Sequence, residues 1–135
     1  MTTSQPVATP NALNFTPDNK RCYAYSGDVS ISGSATRMLD FQTNSEYAIV
    51  QLELHGTFSQ IGQNQIRLNV QFNEVDIIDT YFDASLDYGI LDKSILIIPP
   101  FTAVTIDCSQ ASGSDRTMQL TLTGEVHGMA DVGYQ

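Results

Sequence analysis

The sequence is short of positive charge. Its 135 residues carry 6 basic and 15 acidic side chains, which gives a formal net charge of −9. A field of that sign repels phosphate backbones, so the composition argues against direct binding of nucleic acid. A neutral or basic protein surface is the easier partner for such a chain.

Long apolar runs are also missing. No run approaches the roughly 20 residues that a membrane helix needs, so we expect no membrane partner. The first 21 residues lack the charged and apolar regions of a signal peptide, so we expect a chain that is not exported. In that setting Cys22 and Cys108 are expected to be two buried free thiols, although a bridge is possible if their strands are neighbours.

The motifs of catalysis and cofactor binding are absent. The chain has no G-x-S-x-G and no phosphate-binding glycine loop, and its two cysteines and two histidines lack zinc-site spacing. We expect His55 and His127 to be solvated on outward strand faces. The sequence thus assigns no catalytic residue, no cofactor and no metal, and we expect a protein that is not an enzyme.

Acidic residues are strung through residues 74–92, and three interpretations of them stay open. A solvated acidic edge is favoured over a calcium site, and the spacing does not match an EF-hand loop. A pair of glycosidase carboxylates is the least favoured interpretation. The aspartates concerned are Asp76, Asp79, Asp83, Asp87 and Asp92.

There is no tryptophan, so tyrosines are the main flat aromatics that could stack on a sugar. Tyrosine is also a good strand former, and packing in a core or at an edge is the simpler account. The tyrosines are Tyr23, Tyr25, Tyr47, Tyr81, Tyr88 and Tyr134.

What the sequence does have is a repeated period of two. Residues 46–59, 65–72 and 116–128 each alternate apolar and polar side chains, which is typical of half-buried strands. Shorter candidate strands fall at 22–32, 36–42, 75–82, 94–98 and 101–108. Residues 82–93 are the one stretch where a helical turn is possible. Gly124 falls on an inward face, where it allows a bulge or a close approach.

About eight strands with regular turn signals predict an all-β, antiparallel β-sandwich, jelly-roll-like in topology. Residues 22–135 form this predicted domain. Residues 1–21 hold Pro6, Pro10 and Pro17 among small polar residues, and they are interpreted as an extended N-terminal arm.

The stretch ILIIPPFTAVTI, residues 95–106, contains a double-proline corner. Pro99 and Pro100 cannot donate ladder hydrogen bonds, so one strand must end near Ile98 and the next begin near Phe101. Residues 94–98 do not alternate, which is typical of a strand covered on both faces. The sandwich supplies one cover, and a partner chain is a candidate for the other.

The segments VQFNEVDI, ILIIPPFTAVTIDC and LTLTGEVHG follow one another in the C-terminal half, and CYAYSGDVSISGSATRMLDFQT begins the domain. Together they resemble the small β-sandwich decoration, or cement, proteins of tailed-bacteriophage capsids. The likeness covers about residues 22–128 and rests on structural motifs. One position departs from the family pattern, because His127 and Gly128 follow Val126 where the family usually has a tyrosine or similar residue.

The resemblance implies a structural protein of the virion surface, assembled in the host cytoplasm. Such a protein binds the outside of the shell, commonly as a homotrimer, and clamps neighbouring major capsid subunits. The alternative function is a carbohydrate-binding or receptor-binding sandwich module of a phage fibre or tail. The candidate partner-binding residues are Phe15 in the arm, Pro99, Pro100 and Phe101 in the corner, and Met129 and Tyr134 in the tail.

Overall fold

The computed structural model describes residues 11–18, 20–57, 65–83, 88–110 and 116–128. In this part of the chain the fold is all-β. The ten strands are β1 (Asn14–Phe15), β2 (Arg21–Tyr25), β3 (Val29–Ile31), β4 (Thr36–Gln42), β5 (Tyr47–Thr57), β6 (Gln65–Phe72), β7 (Val75–Asp83), β8 (Tyr88–Ile98), β9 (Ala103–Gln110) and β10 (Arg116–His127).

The strands form two antiparallel sheets. Sheet A has the order β1-β2-β10-β5-β8, with β3 also paired to β10, and sheet B has the order β4-β9-β6-β7. Between the sheets, β10 contacts β4 and β3 contacts β9. The outer strands are β1 and β8 in sheet A and β4 and β7 in sheet B.

One hydrophobic core lies between the sheets, and the period of two places its residues. On β5 the side chains of Ala48, Val50, Leu52 and Leu54 are all buried, as the alternation predicts. Strands β6 and β10 repeat the pattern, with Leu68 and Leu120 fully buried. The all-β fold with two antiparallel sheets is thus confirmed, with ten strands in place of about eight.

Most strand boundaries agree with the sequence, and the differences have local causes. Strand β8 begins at Tyr88, so residues 88–93 are extended where a helical turn was possible. The predicted strand over 22–32 is divided into β2 and β3 by a turn in which Gly27 has a φ of 73°. Residues 84–87 lie outside the described part of the chain.

Gly124 lies where β10 passes close to β5. A Cβ built on Gly124 would lie 1.9 Å from the carbonyl oxygen of Ile49 and 2.6 Å from the Cα of Val50. No side chain fits there, because the obstacle is backbone of the neighbouring strand. The close approach predicted for Gly124 is confirmed.

Candidate interaction surface

The double-proline corner joins β8 of sheet A to β9 of sheet B, and it is tied to two other turns. The buried Thr43 hydroxyl donates to the carbonyl oxygen of Pro99 at 2.7 Å and accepts from the amide of Thr102 at 2.9 Å. On the other side, Asn73 in the β6–β7 turn accepts from the Ala103 amide through its side chain at 2.8 Å. These hydrogen bonds fix the backbone of the corner in one conformation.

Phe101 lies in this corner in an unusual conformation. Its φ is 53°, in the left-handed region that bulky residues rarely adopt. Its amide donates to the carbonyl oxygen of Asn44 at 2.8 Å, so the backbone is held, but its side chain is 66% exposed. Packing in the core does not offset the backbone strain, because the ring is largely exposed. Strained positions of this kind are often functional.

The end of β8 exposes a second apolar surface. Leu96 and Ile98 point into the core, whereas Ile95 is 73% exposed and Ile97 is 62% exposed. Ile97 is paired with the half-buried Ile49 and Ile95 with Gln51 on β5. We call Ile95 and Ile97 the β8 strip. The sandwich covers one face of residues 94–98, and in the described part of the chain the other face is open.

Part of the acidic segment lies on the β7 edge, where Asp76 and Asp79 have hydrogen-bond partners. Asp79 binds the Arg67 guanidinium through both oxygens at 2.8 Å, and this lowers the pKa of Asp79. Asp76 accepts from the side-chain amides of Asn69 and Gln71, and the Asn69 hydrogen bond is the main cause of its lowered pKa. Arg67 occupies both oxygens of Asp79, and the two amides share Oδ1 of Asp76, so Asp79 in particular is a poor calcium ligand.

The two histidines lie at opposite ends of sheet A. His55 is paired with Gln119 and His127 with Tyr47, eight positions apart on β10, which is about 27 Å along a strand. The His127 ring stacks on Tyr47 with centroids 5.2 Å apart, and its Nε2 lies 3.3 Å from Glu125. The expectation of two solvated histidines is therefore only partly met, because each side chain is only about a third exposed.

An open depression of about 400 Å³ lies beside His127 and contains the most concentrated group of ionisable residues among the described cavities. Its two carboxylates both have partners within the chain. Asp18 accepts from the Thr16 hydroxyl at 2.6 Å, which chiefly lowers its pKa, and from the Lys20 amide at 3.1 Å. Glu125 lies against His127. The depression is lined by Asp18, Lys20, Arg21, Glu125, Val126 and His127.

The remaining candidate residues have different positions. Pro99 is exposed and Pro100 is half-buried, beside Phe101 in the corner. Phe15 is half-buried on β1 and packs against the protein's own core. Met129 and Tyr134 lie outside the described residues. The structure thus brings the three corner residues together, and the contacts expected at Phe15 and in the tail stay predictions.

Both cysteines are free and buried, as expected. Cys22 lies in sheet A and Cys108 in sheet B, so their strands are not neighbours. Burial raises the pKa of Cys22 to about 11 and that of Cys108 to about 12.

Sequence reasoning missed the residues that hold the corner. Thr43, Asn44 and Asn73 are separated from the prolines by tens of residues, and only the topology brings them together. Polar residues in turns after strands were the available signal, but such residues are common in any turn.

Within the described residues, no cluster of three or more histidine, cysteine or acidic side chains is placed to hold a metal ion. Among the same residues, no helix has the length and hydrophobicity to cross a bilayer. No protein-family model matches the chain, and no curated protein shows significant similarity to it.

Proposed function

We propose that this chain is a structural protein of a bacteriophage virion that binds the outside of the capsid and stabilises the shell by clamping neighbouring major capsid subunits. The observation that carries the proposal is Phe101, a large and exposed aromatic side chain on a hydrogen-bonded corner. Large apolar side chains fixed in an exposed position favour contact with another protein.

The resemblance to capsid decoration proteins selects the shell as the partner. Its quoted segments correspond to the β6–β7 hairpin, to β8 with the corner and β9, and to the end of β10. The strand order β2-β10-β5-β8 opposite β4-β9-β6-β7 supports a jelly-roll classification, because that order is the one two Greek keys produce.

The proposal needs no bond-making chemistry and no cofactor. A net charge of −9 keeps the chain away from packed nucleic acid and favours a neutral or basic site on the shell. The proposed location is the outer surface of the virion, after assembly in the host cytoplasm, and the form that the resemblance implies is a homotrimer. Several weak contacts made by one oligomer strengthen one another through effective concentration.

The test is co-sedimentation of the full chain with expanded, DNA-free shells assembled from the major capsid protein of the phage that encodes it. We expect saturable binding, and we expect Phe101→Asn to weaken it at least about tenfold, because an exposed aromatic anchor is lost. Tyr81→Asn is the matched control, since Tyr81 is 61% exposed on β7 and is not part of the corner. Absence of binding by the full chain would remove the proposal.

The predicted arm and tail are tested in the same assay. Deleting residues 1–10 leaves β1 and the Phe15 contacts with the core in place. If the arm lies along a shell subunit, its deletion weakens sedimentation without changing the unfolding temperature. Met129→Ala and Tyr134→Ala examine the tail in the same way.

A carbohydrate-binding module is the second candidate, and one observation favours it. Tyr23 and Tyr25 are both exposed on the outer face of β2, next to Thr123 and Thr121 of β10. Adjacent flat rings beside hydroxyl groups are a suitable platform for a sugar. A glycan array that is positive for the full chain and negative for the Tyr23→Ala, Tyr25→Ala double variant would favour this candidate, whereas a blank array would remove it.

A further inference from the structure

The edges of the two sheets differ in how they discourage pairing with other strands. Edge strands are commonly kept apart by short length, charges, prolines or bulges. Strand β1 has two residues and β3 has three, and both lie on one side of sheet A. On β4, Arg37 and Asp40 form an ion pair, and the register shifts between Arg37 and Leu39.

The other two edge strands, β7 and β8, are long. Strand β7 carries Asp76 and Asp79, and its register shifts between Val70 and Gln71 of β6, which leaves Ile77 unpaired. Strand β8 is different over residues 94–98, which contain no charge, no proline and no register shift. Among the described edges this segment is the one that is long, regular and apolar.

We propose that residues 94–98 of β8 pair with the same residues of a second copy, as antiparallel strands related by a two-fold axis at Leu96. In this register Ile95 lies opposite Ile97 of the second copy, and Ile97 lies opposite its Ile95. Residues opposite each other on antiparallel strands share a face, so the exposed isoleucines of the two β8 strips form one cross-strand cluster. Sheet A then continues across the axis.

The neighbouring registers that keep the same faces are poorer. Moving the axis to Ile95 places Ile97 opposite Lys93, and moving it to Ile97 places Ile95 opposite Pro99, which has no amide to donate. A shift by a single residue would place outward side chains opposite inward ones. The sequence of β8 therefore fits a copy of itself best in one register.

The charge distribution permits this contact in spite of the net charge of −9. Residues 94–101 contain no ionisable side chain, so two copies can approach along this segment without placing carboxylates opposite each other. Pro99 and Pro100 end the segment that can pair. Five residues bury less than the roughly 800 Å² per partner of a standard interface, so the dimer is expected to dissociate on dilution.

This contact is independent of shell binding. A two-fold edge pairing closes on itself and joins two copies, whereas the resemblance implies three. The corner with Phe101 lies beyond the paired segment, which leaves it available for the shell. Pairing is tested in solution without shells, so failure of this inference and failure of the proposed function are separate results.

The first test is sedimentation equilibrium of the full chain over a concentration series. We expect a reversible species of twice the 14.8 kDa chain mass. The double variant Ile95→Lys, Ile97→Lys is expected to raise the dissociation constant at least about 100-fold, because both copies lose their contacts and gain like charges. Ile77→Lys on the β7 edge is the matched control and is expected to leave the dimer intact.

The second test determines the register. Equal amounts of Ile95→Cys and Ile97→Cys chains are mixed and incubated with oxidised glutathione. Opposite residues have Cβ atoms about 4.5–5.5 Å apart and diagonal ones about 7–8 Å, so the mixture is expected to give more covalent dimer than either variant alone. Circular dichroism verifies that each variant is folded. The milder Ile97→Ser variant replaces the lysine double variant if the latter is unfolded.

Three results would overturn the inference. They are a monomer at every concentration, a dimer or trimer that withstands the β8 substitutions, and a species that is lost when residues 129–135 are deleted but not when β8 is altered. The last would assign the contact to the tail.

Discussion

The strands β7 and β8 are consecutive in the chain, each lies at the edge of its sheet, and both expose isoleucine. On β7, Ile77 lies at a register shift between carboxylates that are hydrogen-bonded to β6. On β8, Ile95 and Ile97 lie on a regular segment that has no charge. An exposed apolar residue therefore indicates a contact only together with the charges and backbone geometry around it.

Strand β8 pairs with β5, and β5 packs closely against β10 at Gly124. Of the substitutions considered, Gly124→Ala is therefore expected to have the largest effect. A methyl group at this position meets the Ile49 and Val50 backbone, so we expect a loss of about 4 kcal/mol or more in the free energy of unfolding. Because β5 carries β8, hydrogen exchange should accelerate in sheet A more than in sheet B. Equal acceleration in both sheets would contradict this account.

Substitutions on the inward face of β8 should lower stability, whereas substitutions on its outward face should weaken self-association. Ile98→Ala removes a fully buried side chain, and we expect a loss of about 3 kcal/mol in the free energy of unfolding. Ile97→Ala is the control on the same strand and should change that free energy by less than about 0.5 kcal/mol while weakening self-association. Chemical denaturation at a concentration where the chain is monomeric measures both.

The buried hydroxyl of Thr43 holds the end of β8 in place. Among the described contacts, β7 has no equivalent. Thr43→Val keeps the shape of the side chain but leaves the Pro99 carbonyl and the Thr102 amide without their hydrogen-bond partner. We expect a loss of about 2 kcal/mol, measured by urea denaturation. Thr105→Val, on the half-buried face of β9, is the control and should cost much less.

Phe101→Asn should have a smaller effect, and of opposite sign. Asparagine tolerates positive φ better than phenylalanine, and the Phe101 side chain contributes little packing, so we expect a gain of about 0.5–1 kcal/mol in stability. The same variant should bind shells less well. A lower free energy of unfolding in Phe101→Asn would show instead that the Phe101 side chain stabilises the fold.

The smallest effect is expected from pH, and Asp79 on β7 is a suitable residue for measuring it. The pKa of Asp79 is lowered in the folded state, so its stabilising contribution is present above the ordinary carboxyl pKa of 3.8 and is lost as the pH falls through the folded value. Wild type and Asp79→Asn should therefore differ slightly in unfolding midpoint at pH 7 and converge near pH 2. The control Ser94→Ala, on β8, should show no such convergence.

The sequence predicted the parts of the fold that depend on local pattern. Alternation identified the inward faces of β5, β6 and β10, and the prolines identified the end of β8 at Ile98. It did not predict that β3 separates from β2, because that division depends on the turn at Gly27 and on pairing with Met118.

The candidate surface was only partly predictable. Pro99, Pro100 and Phe101 were identified from the double proline, and the lack of alternation indicated that residues 94–98 need a second cover. The exposure of Ile95 and Ile97 depends on β8 being the last strand of its sheet, and strand order is a property of long-range pairing. The same is true of Thr43, whose hydroxyl meets Pro99 only after β4 and β8 are in place.

The two native thiols have a practical consequence. Only the thiolate reacts quickly with disulfides and alkylating agents, and burial holds the pKa of Cys22 near 11 and that of Cys108 near 12. At neutral pH both remain protonated and shielded in the folded chain. A cysteine introduced at the surface would therefore react first, so a dye or a displayed peptide can be attached at one chosen point without removing either native residue.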